Sequence, residues 1–191
     1  MTYVVEAVCV MAALVFGTSA AAKLRSRSAY LRFRSAMAGL LPRPLTGGLA
    51  AAELTVAVGL GAAAVATVAG GRDLIALIAL GAAALLTCLL IAGVAVLIRR
   101  GVRTRCACFG SSEPIGVTHL VRNLTFLGLL LAGLVAGLGG AGQAGPAAAA
   151  VMAVVAGGCL ALLIIRWEDL AVLVTPVPSI RRSAQAGRGA A

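Results

Sequence analysis

The chain has 191 residues, of which 61% are hydrophobic and only 12% charged, with a formal net charge of +10. About a quarter of the residues of an ordinary soluble domain are charged, so this sequence cannot cover a globular surface with polar groups. It reads instead as an integral membrane protein, an all-α polytopic bundle in which lipid replaces water around most of the chain.

Five apolar runs follow one another. Val4–Ala22 is the first and holds Glu6 near its start. It lacks the basic segment that opens a secretory signal peptide. Thr18-Ser-Ala-Ala-Ala22 only faintly resembles a cleavage site, so the run reads as a retained helix. The loop Lys23–Thr46 is amphipathic, with Leu24, Tyr30, Leu31, Phe33, Met37, Leu40 and Leu41 interleaved with Arg. The pattern predicts an interfacial helix that Pro42 and Pro44 break. Gly48–Gly70 is the second run and contains Glu53, and Leu74–Ile98 is the third, uninterrupted by charge. The short turn Gly70–Asp73 makes these two antiparallel neighbours. Leu120–Gly140 carries Arg122 near its start, and Ala147–Ile165 is the fifth run. Each run is near the roughly 20 residues that a helix needs to cross about 30 Å of hydrocarbon. Gly139–Pro146 reads as a flexible outer loop, Leu170–Val177 as an interfacial segment, and the basic tail, Ser183–Ala191 above all, as disordered. No internal repeat is evident.

Of the 16 Lys and Arg, all but Arg72 fall on one side of an alternating five-helix topology. The positive-inside rule then predicts an N-terminus outside and a C-terminus in the cytoplasm. The positive charge is thus an orientation signal and an attraction to anionic headgroups. No basic face interleaved with aromatics supports nucleic-acid binding.

The five cysteines fall into two groups. Cys9, Cys88 and Cys159 lie in apolar helices and read as buried small hydrophobes. Cys106 and Cys108 stand one residue apart in Arg103-Thr-Arg-Cys-Ala-Cys-Phe-Gly-Ser-Ser-Glu-Pro-Ile-Gly116, after the third run. A disulfide between them needs a tight turn to converge the Cβ atoms, and Phe109-Gly-Ser-Ser112 supplies turn chemistry. Such a ring would be strained and readily exchanged. Arg103, Arg105 and Arg122, with the start of the fourth helix, favour a thiolate. Two other readings stand beside this one: two small residues in an arginine-anchored turn, or half a metal site. A closed zinc site needs four ligands. His119 is the only histidine, so a metal would need two chains or an unusual carboxylate.

Glu53 lies five residues beyond Gly48, about 7–8 Å deep at 1.5 Å per residue. It shares that level with Lys23, Arg122 and Asn123. An intramembrane charge costs a few kcal/mol unless paired or hydrated. Glu53 therefore reads either as an ion-pair partner of Lys23 or Arg122, or as a proton acceptor for a thiol. His119 reads as interfacial.

Ala22-Lys-Leu24, Phe33, Leu49-Ala-Ala-Ala-Glu-Leu54, Cys106-Ala-Cys-Phe-Gly110 and Val121-Arg-Asn-Leu124 together carry a resemblance. They resemble the methylamine-utilisation protein MauE family, small membrane proteins related to the DoxX-like group. C-x-C-F-G is the most specific element. The resemblance implies a four-helix domain over residues 1–140. Residues 141–177 then add a fifth transmembrane helix and an interfacial segment, and 178–191 are the basic tail. It also implies a role in maturing an exported, disulfide-rich redox enzyme such as methylamine dehydrogenase, alongside a thioredoxin-like partner. The motif cysteines map onto Cys106 and Cys108 and the helix-two acid onto Glu53, with Lys23, Arg105, Arg122 and Asn123 in support. No cofactor and no metal are called for. Disulfide formation for export occurs outside, whereas the charge pattern puts the C-x-C inside. A relay through Cys88 and Cys9 is one resolution.

Two functional classes remain: thiol–disulfide exchange through Cys106 and Cys108, or a non-catalytic scaffold in a redox complex. Solute transport through Glu53 and Lys23 lacks the broken helices that such sites favour.

Overall fold

The computed structural model describes residues 2–37, 43–68, 73–101, 116–139, 146–167 and 169–170. It is all-α. In chain order the helices are α1 (Thr2–Leu24), α2 (Arg27–Met37), α3 (Arg43–Val68), α4 (Asp73–Arg99), α5 (Val117–Leu138) and α6 (Ala147–Ile165). Five of them contain apolar stretches long enough to span a bilayer: Tyr3–Leu24, Leu45–Thr67, Leu74–Arg99, Val117–Leu138 and Ala147–Ile165. These are the five runs read from the sequence, so the chain is a multi-pass membrane protein.

α1 packs on α3, α3 on α4, α4 on α5 and α5 back on α1, and this closes a four-helix core. α6 lies against α1 outside that ring. α1 is consequently the most enclosed helix: 56% of its span is buried, against 22–33% for the other four. Buried positions on α3 recur at helical spacing as Thr46, Ala50, Glu53, Ala57, Leu60, Ala64 and Thr67. On α5 the buried stripe is His119, Arg122, Phe126, Leu130 and Gly133. The α3 stripe is rich in small residues because in lipid close packing, not water exclusion, draws helices together. Large apolar side chains instead point outward, Val65, Ile78, Leu85 and Val135 among them, where hydrocarbon meets them.

The tightest approach joins α1 and α6. A Cβ placed on Gly157 would stand 2.4 Å from the carbonyl oxygen of Ala7, so only glycine lets these backbones meet. Phe16 of α1 and Phe126 of α5 meet edge to face, with ring centroids 5.5 Å apart. At the other end of α4, Gly101 has φ +64° and its N–H donates to the Ile98 carbonyl. This left-handed residue stops the helix without the cost a Cβ would add.

Two expectations need revision. α2 forms where the amphipathic pattern places it and ends at Met37, before Pro42 and Pro44, and Pro44 sits in the first turn of α3, where a missing N–H costs nothing. α3 therefore begins five residues before Gly48. Of the three described cysteines, Cys9 is buried, whereas Cys88 and Cys159 are exposed on the outside of the bundle. Helices apolar all round give no sequence cue to which side faces inward. The Gly70–Asp73 turn before Asp73, most of the outer loop and the chain beyond Leu170 lie outside the described residues.

Candidate functional site

α1 ends on Ser19 and Lys23, spaced four apart and hence on one face. A long helical side chain leans back towards the N-terminus of its helix. Lys23 does so: its Nζ donates to Ser19 Oγ at 2.9 Å. The antiparallel α3 brings Glu53 to the same level, and Lys23 Nζ forms a salt bridge to Glu53 Oε2. Ser19 Oγ donates to the same carboxylate oxygen at 3.0 Å. Phe33 of α2 covers the ammonium, with its ring centroid 5.1 Å from Nζ. One cation thus meets a carboxylate, a hydroxyl and an aromatic face. The side chains of Lys23 and Glu53 are wholly shielded.

Burying two such charges costs several kcal/mol per ion, which close pairing and further hydrogen bonds offset. Glu53 lies eight residues inside the Leu45–Thr67 span, about 12 Å along the helix, deeper than its distance from Gly48 implies. The Glu53 Oε1 atom is buried and has no hydrogen-bond partner among the described residues. One carboxylate oxygen is therefore held by Lys23 and Ser19, and the other keeps its acceptor capacity.

Ser19 also faces a cavity of about 50 Å³ between α1, α4 and α5, together with Thr87, His119, Arg122 and Asn123. One water needs roughly 10–15 Å³ of such space, so a short water chain fits. Arg122 and His119 are 4% and 3% exposed. His119 is therefore a buried residue of the α5 stripe, two residues inside the start of the Val117–Leu138 span. Of the two cations at this level, Lys23 is the one that pairs with Glu53.

The structure brings together Lys23 and Glu53, and places Arg122 and Asn123 one cavity away. Cys106, Cys108, Arg103 and Arg105 lie outside the described residues. Ser19 and Thr87 were missed by the sequence reading. Ser19 had a signal, its position one turn before Lys23, whereas Thr87 had none. Among the described residues no group of three His, Cys, Asp or Glu assembles that could hold a metal.

Neither a curated protein nor a solved structure gives a significant match. The family model described as methylamine utilisation protein MauE matches residues 1–136. That match covers α1 to α5 almost in full and ends before α6. The closed ring of α1, α3, α4 and α5 with its buried Lys23–Glu53 pair is thus the family part of the molecule, and the chain belongs to the MauE family of methylamine-utilisation membrane proteins.

Proposed function

We propose that the chain is a membrane thiol–disulfide exchange factor that assists the maturation of an exported redox enzyme of the methylamine dehydrogenase kind. Cys106 and Cys108 carry the exchange, and Glu53 accepts a proton from one of them. The observation that carries this reading is the Glu53 carboxylate, fixed through one oxygen with its other oxygen buried and without a hydrogen-bond partner among the described residues, at the end of the bundle where α4 stops and α5 starts. Cys106 follows Gly101 by five residues and Cys108 precedes Gly116 by eight. At about 3.3–3.6 Å per residue, chain reach keeps Cys106 within about 18 Å of Gly101, just past the end of α4. Arg105, Arg122 and Asn123 support the thiolate and the water chain beside it.

In the oxidising direction a thiolate of the client enzyme attacks the Cys106–Cys108 disulfide. A mixed disulfide forms, and one of the pair leaves as a thiolate that takes up a proton. The client's second thiolate then displaces the remaining cysteine, which leaves the client disulfide and a reduced Cys106/Cys108 pair. The disulfide of a thioredoxin-like protein reoxidises the pair by the same two displacements. Glu53 supplies the one proton that the first leaving thiolate takes up, the second cysteine leaves as a thiolate, and Glu53 recovers its proton when the pair is reoxidised.

The positive charge beside α2, the end of α4 and the chain after α6 supports an N-terminus outside and a C-terminus in the cytoplasm. Labelling Cys106 and Cys108 with a membrane-impermeant maleimide, in intact and in opened cells, reports their side and their redox state together. Exchange requires a pair that alternates between oxidised and reduced forms, and a Cys108→Ser chain that accumulates a mixed disulfide or loses one. Thiols that stay free under both oxidant and reductant refute it. A second reading, a non-catalytic scaffold of a redox complex, draws on the same ion pair as a clamp between α1 and α3. It requires a Cys106→Ser/Cys108→Ser double variant to keep full function.

A further inference from the structure

A second buried acid lies at the opposite end of α1. Glu6 precedes Lys23 by 17 residues, about 25 Å along the helix, so it is remote from the pair above. It is 1% exposed, and its Oε1 atom has no hydrogen-bond partner among the described residues. Glu6 lines a cavity of about 260 Å³ floored by α1 and flanked by Gly61, Ala64 and Val65 of α3 and Val154 of α6. It is the one polar side chain among the described lining residues. Leu14, Val65 and Val154, which also line the cavity, are 45%, 71% and 44% exposed on the outer surface. The mouth therefore opens towards the hydrocarbon and not towards the Lys23 end.

A carboxylate in such surroundings is too costly to persist uncompensated. It must hold a proton or a cation. A metal ion does not suit the site, because hard cations take six or more oxygen ligands and one carboxyl lines this cavity. The volume and the apolar wall instead suit an organic base: a nitrogen for the carboxyl, and a hydrocarbon body for Leu14, Val65 and Val154.

We propose that the Glu6 cavity binds a small apolar amine from the lipid phase. The amine enters uncharged. The Glu6 carboxylic acid gives its proton to the amine nitrogen, and the ammonium so formed stays against the carboxylate. The O–H bond breaks, an N–H bond forms, and no net charge crosses the hydrocarbon. α6 supplies one wall, so the site belongs to the whole chain and not to the four-helix core alone. It is independent of Cys106 and Cys108, and its failure leaves the exchange reading untouched.

The test uses the full chain in detergent micelles at fixed pH. Dicyclohexylcarbodiimide, an apolar reagent for protonated carboxyls, modifies Glu6, and the Glu6→Gln chain lacks that adduct by mass spectrometry. Triethylamine, which cannot itself be acylated, protects Glu6. At about ten times its Kd the labelling rate falls about tenfold, since only the empty fraction reacts. The hydrocarbon isostere 3-ethylpentane gives no such protection. Gly61→Leu provides a second arm. A Cβ at Gly61 meets nothing within 4 Å, so leucine fills the cavity, keeps Glu6 and abolishes triethylamine uptake in equilibrium dialysis. Absence of protection by triethylamine, equal protection by 3-ethylpentane, or unchanged uptake by Gly61→Leu each overturns the proposal.

Discussion

Breaking the Lys23–Glu53 pair from one side should be far more damaging than removing it whole. In Glu53→Leu the Lys23 ammonium keeps its shielded position but loses its carboxylate, and Ser19 loses its acceptor. Removing one partner of a buried pair typically costs about 3–5 kcal/mol. The upper half of that range applies, because neither side chain has any exposure through which water could take over. For a chain of this size about 1 kcal/mol shifts the midpoint by roughly 2–4 °C, so a fall on the order of 10 °C is expected. Lys23→Met should do similar harm, since it strands the carboxylate. The double variant Lys23→Met/Glu53→Leu should recover most of the loss, as apolar replacements of whole buried pairs often do. Cys9, at 0% exposure, provides the assay: in a background where it is the only cysteine, a fluorogenic maleimide reports unfolding as temperature rises. Single variants as stable as the parent, or a double variant as damaged as the sum of both singles, would refute the reasoning.

Four further outcomes follow from the same physics. Gly157→Val should lower the midpoint by the equivalent of about 1–3 kcal/mol or more, because the opposing atom is a backbone oxygen. Gly158→Val should be close to neutral, since a Cβ there meets nothing within 4 Å. Phe33→Leu keeps apolar volume over Lys23 but removes the ring face, and thermal unfolding should register a loss of about 0.5–2 kcal/mol. Arg166→Ala should leave the midpoint unmoved, because its 3.0 Å pair with Asp169 is 72% and 68% exposed and such surface pairs contribute little.

How far the sequence could be read depended on what each helix contrasts with its surroundings. The five spans were legible from run length alone, and α2 from the alternation of Arg with Leu31 and Phe33. Glu53 was legible as a charge that needed a partner. Its place in the stripe from Thr46 to Thr67 could have been counted, yet counting from Gly48 underestimates its depth, because the apolar span starts at Leu45. Which cation would meet it was not legible. Lys23 and Arg122 share the level, and the choice depends on the backward lean of one side chain onto Ser19. Cys88 was misplaced for a different reason: α4 is apolar on every side, and burial there is decided by neighbours that the local sequence does not encode.

The central position of α1 has a consequence for biosynthesis. It is the first of these helices to leave the ribosome, and it carries Glu6, Ser19 and Lys23 into the bilayer. The carboxylate that neutralises Lys23 is translated 30 residues later, and the helix that completes the wall around Glu6 only after α5. α1 and α3 are therefore best inserted as one hairpin, with the ammonium and carboxylate entering already joined. The translocon has to hold the first helix in a sheltered position until the second has arrived.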